Sequence, residues 1–132
     1  MNPKFLSNYY VWAIKALLFV IPFLSLWIGK PFYFPYITGR NFVFRILIEI
    51  AVVLWLGLIV LDKNYRPRFT SITAAILVFV GIVGLADVLG VNSYSSFWSR
   101  FERMEGYLMM LHLFAYFLIL ISVLRTKMDW LV

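Results

Sequence analysis

Residues 43–61 read VFRILIEIAVVLWLGLIVL. Arg45 and Glu49 are the only ionisable residues in this stretch, and everything else is apolar apart from Gly57. A helix on the surface of a water-soluble domain would return a polar face at every turn. Here the two charges stand four positions apart and the remaining surface is apolar all round. At ~1.5 Å per residue the stretch matches the ~30 Å hydrocarbon core of a bilayer. A helix satisfies all its backbone hydrogen bonds internally, which that environment demands. The stretch therefore predicts a transmembrane helix. Three more apolar runs follow the same logic, at 9–28, 71–89 and 107–124. The expected fold is an all-α polytopic membrane protein of about four transmembrane helices, forming a single transmembrane helical domain over residues 1–132.

Composition agrees: 64% of the 132 residues are hydrophobic, 20% aromatic and only 14% charged. Aromatic residues gather at the ends of the runs, among them Tyr9, Tyr10, Trp12, Trp27, Phe97 and Trp98, where interfacial belts form. The net charge of +6 is spread over several loops. It makes no continuous stripe, which argues against a nucleic-acid partner and for contact with membrane lipids. With no cysteine, disulfides, thiolate metal sites and thiol nucleophiles are excluded. The first run is longer than a signal-peptide core, and Gly29-Lys30-Pro31-Phe32 after it is no small-residue cleavage site, so it reads as a retained helix. Pro22 lies inside that run and predicts a kink.

Orientation rests on the basic residues of the short loops. With the N-terminus cytoplasmic, the inner side holds Lys4, Lys63, Arg66, Arg68, Arg125 and Lys127, and the outer side Lys30, Arg40, Arg100 and Arg103. The compact cluster Lys63-Asn64-Tyr65-Arg66-Pro67-Arg68 decides for both termini in the cytoplasm of a multi-pass cell-membrane protein. The outer segment 29–40, with Pro31, Pro35 and four aromatics, reads as an aromatic loop. In the second outer segment, 91–106, Ser99 and Glu102 fit a capping box, predicting a short amphipathic helix from Ser99 towards Tyr107. Phe97, Phe101, Met104 and Leu108 would share one of its faces, and Arg100 and Arg103 a neighbouring one. Two arginines so placed fit an anionic ligand, because the guanidinium fork grips phosphate oxygens in pairs; solvated charges on an interfacial helix are the alternative.

Charge inside a bilayer is costly and usually faces protein. Lys15, Arg45, Glu49, Asp87 and His112 lie inside the runs. Counting along antiparallel helices puts Arg45, Glu49, Asp87 and His112 at similar depth towards the outer side, with Lys15 near the inner side, within snorkelling reach of it. The layer has two readings. It fastens helices, with Arg45 paired to Glu49 or Asp87 and His112 donating to a neighbour, or it floors a site opening outward. One histidine and scattered carboxylates lack the spacing of a metal site, and no phosphate loop or serine elbow is present, so no metal or cofactor is expected.

Two blocks carry a resemblance. Phe34-Pro35-Tyr36-Ile37-Thr38-Gly39-Arg40-Asn41-Phe42 runs into Phe44-Arg45-Ile46-Leu47-Ile48-Glu49. Later, Gly90-Val91-Asn92 is followed by Ser96-Phe97-Trp98-Ser99-Arg100-Phe101-Glu102-Arg103-Met104-Glu105-Gly106 and Leu111-His112-Leu113-Phe114. Together they resemble the opening part of bacterial O-antigen ligase-like membrane proteins. The second block is the more specific, since hydropathy does not explain its polar and aromatic positions. The resemblance implies a glycosyltransferase of lipopolysaccharide or cell-envelope biosynthesis that transfers a glycan from an undecaprenyl diphosphate carrier to an acceptor hydroxyl outside the membrane. It implies Arg100 and Arg103, then Arg40 and Arg45, as substrate-binding residues. The family's catalytic histidine lies in a later part, so that role does not pass to His112. The family has more helices than this chain, which then reads as the N-terminal portion of a longer protein, inactive alone. The alternative is a complete four-helix membrane protein serving as an assembly subunit or carrier.

Overall fold

The computed structural model describes residues 3–26, 38–99 and 105–125, with side chains from residue 5 onwards. All regular structure there is helical. Helix α1 spans Pro3–Val20 and continues as a tighter 3-10 segment over Ile21–Leu26. Helix α2 spans Thr38–Leu61, α3 Ser71–Leu89, α4 Ser93–Trp98 and α5 Tyr107–Val123. The change of winding after Val20 falls where Pro22 removes a backbone donor and crowds the preceding turn.

Three of these helical segments, Phe5–Leu26, Thr38–Leu61 and Ser71–Leu89, are long and apolar enough to cross a membrane. Helix α5 is a shorter apolar helix of 17 residues, the lower end of the spanning range. The chain is thus an all-α, multi-pass membrane protein. Its long helices alternate in direction, so each end of the bundle collects its own loops. The α2–α3 connection and the end of α5 meet at one end, called here the Asp62 end. The start of α2, the end of α3 and the start of α5 meet at the opposite, Arg45 end.

Packing centres on α1, α2 and α5. On α2 the buried residues Phe44, Ile48, Ala51, Trp55 and Leu58 alternate spacings of four and three, the seam of a left-handed helix pair. Ile14, Leu18, Ala51, Trp55, Leu58, Ile119 and Val123 form the main core. A second cluster of Ile21, Phe44 and Ile48 extends it towards the Arg45 end. The indole Nε1 of Trp55 is buried and meets no acceptor among the described residues; nothing around it explains this.

Helix α3 packs on α5 and α4. It buries only Thr73, Val80 and Gly84. Gly84 lies under the ring of Tyr107, whose hydroxyl donates to the Val80 carbonyl at 3.1 Å. A Cβ at position 84 would come within 2.5 Å of that hydroxyl, so only glycine lets the ring lie against the helix backbone. Helix α3 starts at a Thr70 cap, with Oγ1 accepting from the Thr73 N–H at 3.3 Å.

The amphipathic helix that the capping box predicts from Ser99 towards Tyr107 falls largely on residues 100–104, outside the described residues, and a short helix lies ahead of that stretch. It covers Ser93–Trp98, with the Asn92 side chain accepting from the Ser95 N–H at 3.3 Å. Ser99 closes this helix at φ 59°. Asn92 wins because its side-chain carbonyl reaches the first free N–H groups of the turn. Glu105 and Gly106 are non-helical and Gly106 caps α5. Phe97 and Leu108 therefore sit on separate helices rather than on one face. Phe97 instead meets Tyr107 edge-on, with ring centroids 5.2 Å apart.

Candidate functional site

Helix α2 begins at Thr38, five residues before its apolar run, because nothing in Thr38-Gly-Arg-Asn-Phe42 forbids helix. Glu49 therefore lies ~16 Å from the start of α2, while His112 lies only ~8 Å from the start of α5. The two nonetheless meet, with His112 Nε2 3.3 Å from Glu49 Oε1. Helix α2 thus overshoots α5 by roughly one and a half turns. Helix α4 sits beside that overshoot, and a groove of about 550 Å³ lies between them. One wall is the α2 face of Phe42, Arg45, Ile46 and Glu49; the other is Tyr94, Trp98 and Ser99.

The imidazole is held from both sides. His112 Nδ1 lies 2.7 Å from the Leu108 carbonyl one turn earlier. A carbonyl can only accept, so Nδ1 carries a hydrogen. Nε2 faces a carboxyl oxygen, and a hydrogen bond there requires one more proton between the two groups. The pair is therefore an imidazolium with a carboxylate, or a neutral imidazole with a carboxylic acid. Both arrangements are net neutral, which suits groups at membrane level. His112 keeps only 15% of its side chain exposed, whereas Glu49 keeps 68% and faces outward. The carboxyl group is thus the accessible member, fixed from behind by a nearly enclosed ring.

The sequence-selected residues separate as follows. Arg45 and Glu49 line the groove, and His112 meets Glu49 without lining it. Arg40 instead holds the end of the first span, donating from Nη1 to the Ser25 carbonyl at 3.2 Å. Asp87 is half-buried on α3 and is not one of the groove's lining residues. Arg100 and Arg103 lie outside the described residues. Sequence reasoning missed Tyr94 and Trp98 as a wall; their aromatic character inside a serine-rich segment was the available signal. No group of His, Cys, Asp and Glu that could hold a metal occurs among the described residues.

The opposite end carries different chemistry. Arg125 donates from Nε to the Ser122 carbonyl and from Nη2 to the Arg66 carbonyl, each at 2.8 Å, and stands over the Tyr65 ring at 5.7 Å. Asp62 caps the turn Lys63–Tyr65 by accepting from the Asn64 N–H at 2.9 Å.

Comparison with family models, curated proteins and solved structures finds no match to this chain.

Proposed function

We propose that this chain is the N-terminal membrane portion of an O-antigen ligase-like glycosyltransferase, acting at the extracytoplasmic face on an undecaprenyl diphosphate-linked glycan. In that reaction an acceptor hydroxyl attacks the sugar carbon that bears the diphosphate. The new glycosidic C–O bond forms, the bond to the diphosphate oxygen breaks, and the carrier diphosphate leaves with the electron pair. The hydroxyl proton passes to a base. Arginines lower the barrier by meeting the charge that develops on the leaving diphosphate.

The observation that supports this reading is the groove at the Arg45 end. Its walls offer a guanidinium, a carboxyl group and two aromatic rings, groups suited to a diphosphate-linked sugar. Arg45 would contact the diphosphate, and Tyr94 and Trp98 would flank the sugar or the first isoprene unit; in sequence Arg100 comes next after the lining residue Ser99, and Arg103 three residues later. The resemblance of residues 34–49 and 90–114 points the same way. Further helices would supply the catalytic residues.

The test is made in the full-length protein. Arg45→Ala, and Arg100→Ala with Arg103→Ala, are each expected to lower glycan transfer at least tenfold, as the loss of charge-assisted contacts to a phosphate would. Arg103→Lys is expected to restore little, since it keeps the charge and loses the fork. Normal transfer in all of these folded variants would remove the groove from the reaction.

A second reading, a subunit of a membrane assembly, draws on α3, which exposes Ile72, Phe79, Ile82 and Leu85 along its length. An open reading frame that continues into further apolar segments favours the ligase reading; a stop codon favours the subunit.

A further inference from the structure

The connection between α2 and α3, residues 62–70, lies at the Asp62 end, remote from the groove. It joins two helices that are each long and apolar enough to cross a membrane, so it runs at the level of lipid head groups. Lys63, Arg66 and Arg68 stand on it, all exposed. Among the described residues no ion pair or hydrogen bond engages these three side chains.

The backbone beneath two of them is fixed. Arg66 has φ −67° and ψ 143°, the extended conformation that a following proline imposes. In extended backbone, residues two apart point the same way and lie about 7 Å from each other. Pro67 is half-buried whereas Arg66 and Arg68 are exposed, so both arginines take the outer side. The bundle holds their carbonyls. That of Arg66 accepts from Arg125 Nη2 at 2.8 Å, and that of Arg68 accepts from Thr73 Oγ1 at 3.4 Å. Arg66-Pro67-Arg68 is therefore a pinned bracket that presents two guanidiniums side by side. Apolar surface adjoins it on the α3 side, where Phe69 is 77% exposed and Ile72 67%.

A guanidinium fork grips the oxygens of one phosphate in pairs. Two forks at this spacing match two phosphates joined through a single glycerol. A soluble polyphosphate would use the forks alone; a lipid uses the forks and the apolar surface together. We propose that Arg66 and Arg68 bind the head group of a phospholipid carrying two phosphates, one phosphate to each arginine, with acyl chains against Phe69 and Ile72. Lys63 adds charge without a place in the bracket.

Native mass spectrometry of the detergent-purified chain provides the test. It compares retention of diphosphatidylglycerol with that of phosphatidylglycerol supplied at equal total phosphate. The lipid with two phosphates is expected to be retained in preference. Arg66→Lys combined with Arg68→Lys keeps every charge and loses both forks, and is expected to lower that retention about fivefold. Lys63→Gln removes a charge and keeps the forks, and is expected to lower it less. Arg68→Lys alone is expected to lower it by a smaller factor than the pair, and decides the matter if circular dichroism shows the double variant unfolded. Equal retention of the two lipids, undiminished retention in the folded arginine variants, or an equal loss in Lys63→Gln overturns the proposal by reducing the effect to diffuse attraction. Displacement of the lipid by pyrophosphate at comparable concentration also overturns it, since the bracket would then be a site for a soluble anion.

Discussion

Helices α2 and α3 are equally apolar by hydropathy, yet they are held very differently. Helix α2 buries Phe44, Ile48, Ala51, Trp55 and Leu58 along one seam against α1 and α5. Helix α3 buries Thr73, Val80 and Gly84 and leaves Leu77, Val78, Phe79, Ile82, Leu85 and Val88 exposed. In a bilayer, lipid tails are as apolar as leucine, so hydrophobicity inserts a helix without telling it where to pack. Packing comes from shape and from specific polar links. Helix α2 has a regular row of knobs; α3 has a glycine and one tyrosine hydrogen bond.

The largest expected effect tests that contrast directly. Leu58 is 0% exposed and Leu85 is 64% exposed. Leu58→Ala is expected to cost about 2–4 kcal/mol, because a cavity opens among fixed neighbours. Leu85→Ala is expected to stay within about 0.5 kcal/mol. Unfolding in detergent, followed by steric trapping or by tryptophan fluorescence, measures both. Similar costs at the two sites would mean that α3 is as tightly packed as α2.

Next comes Gly84→Val. The added methyls would drive the Tyr107 ring off α3, at an expected cost of about 1–3 kcal/mol. The loss should be local: hydrogen exchange of α3 amides should quicken while α1 and α2 keep their protection. Uniform loss of protection would show instead that α3 is needed for the α1–α2–α5 core.

The smallest effect belongs to the link between Glu49 and His112. A double-mutant cycle with Glu49→Gln and His112→Gln is expected to give a coupling of about 0.6–1.7 kcal/mol, the range of polar links between membrane helices. The measurement is again unfolding in detergent. Additive effects would mean that the two side chains are neighbours without a shared proton.

The helical class, the long spans and the shared level of Glu49 and His112 were legible in the amino-acid order. Hydropathy over 43–61 and the other runs announces helices that need no partner to satisfy their backbone. Pro22 announced the change of winding, and antiparallel counting put Glu49 and His112 at one level. The start of the helix Ser93–Trp98 was not legible, because Asn92 and the serines after it all qualify as caps and only the turn actually formed selects among them. The separation of Arg40 and Asp87 from the groove was equally hidden, since a count of residues along a helix gives depth and says nothing of azimuth.

By itself, then, the chain's order determined that this is a multi-pass helical membrane protein with Glu49 and His112 at one level. Burying charge is costly, and each helix is autonomous in a bilayer. Only tertiary structure decided that α5 stands between α2 and α3, that α2 overshoots it to leave a groove faced by Tyr94 and Trp98, and that His112 holds Glu49 rather than another carboxylate. Those outcomes depend on rotation about each helix axis and on offset along it. Both are set by side-chain shapes meeting across interfaces, such as the close approach at Gly84, where lipid and neighbouring helix are equally good solvents for an apolar face and only fit distinguishes them.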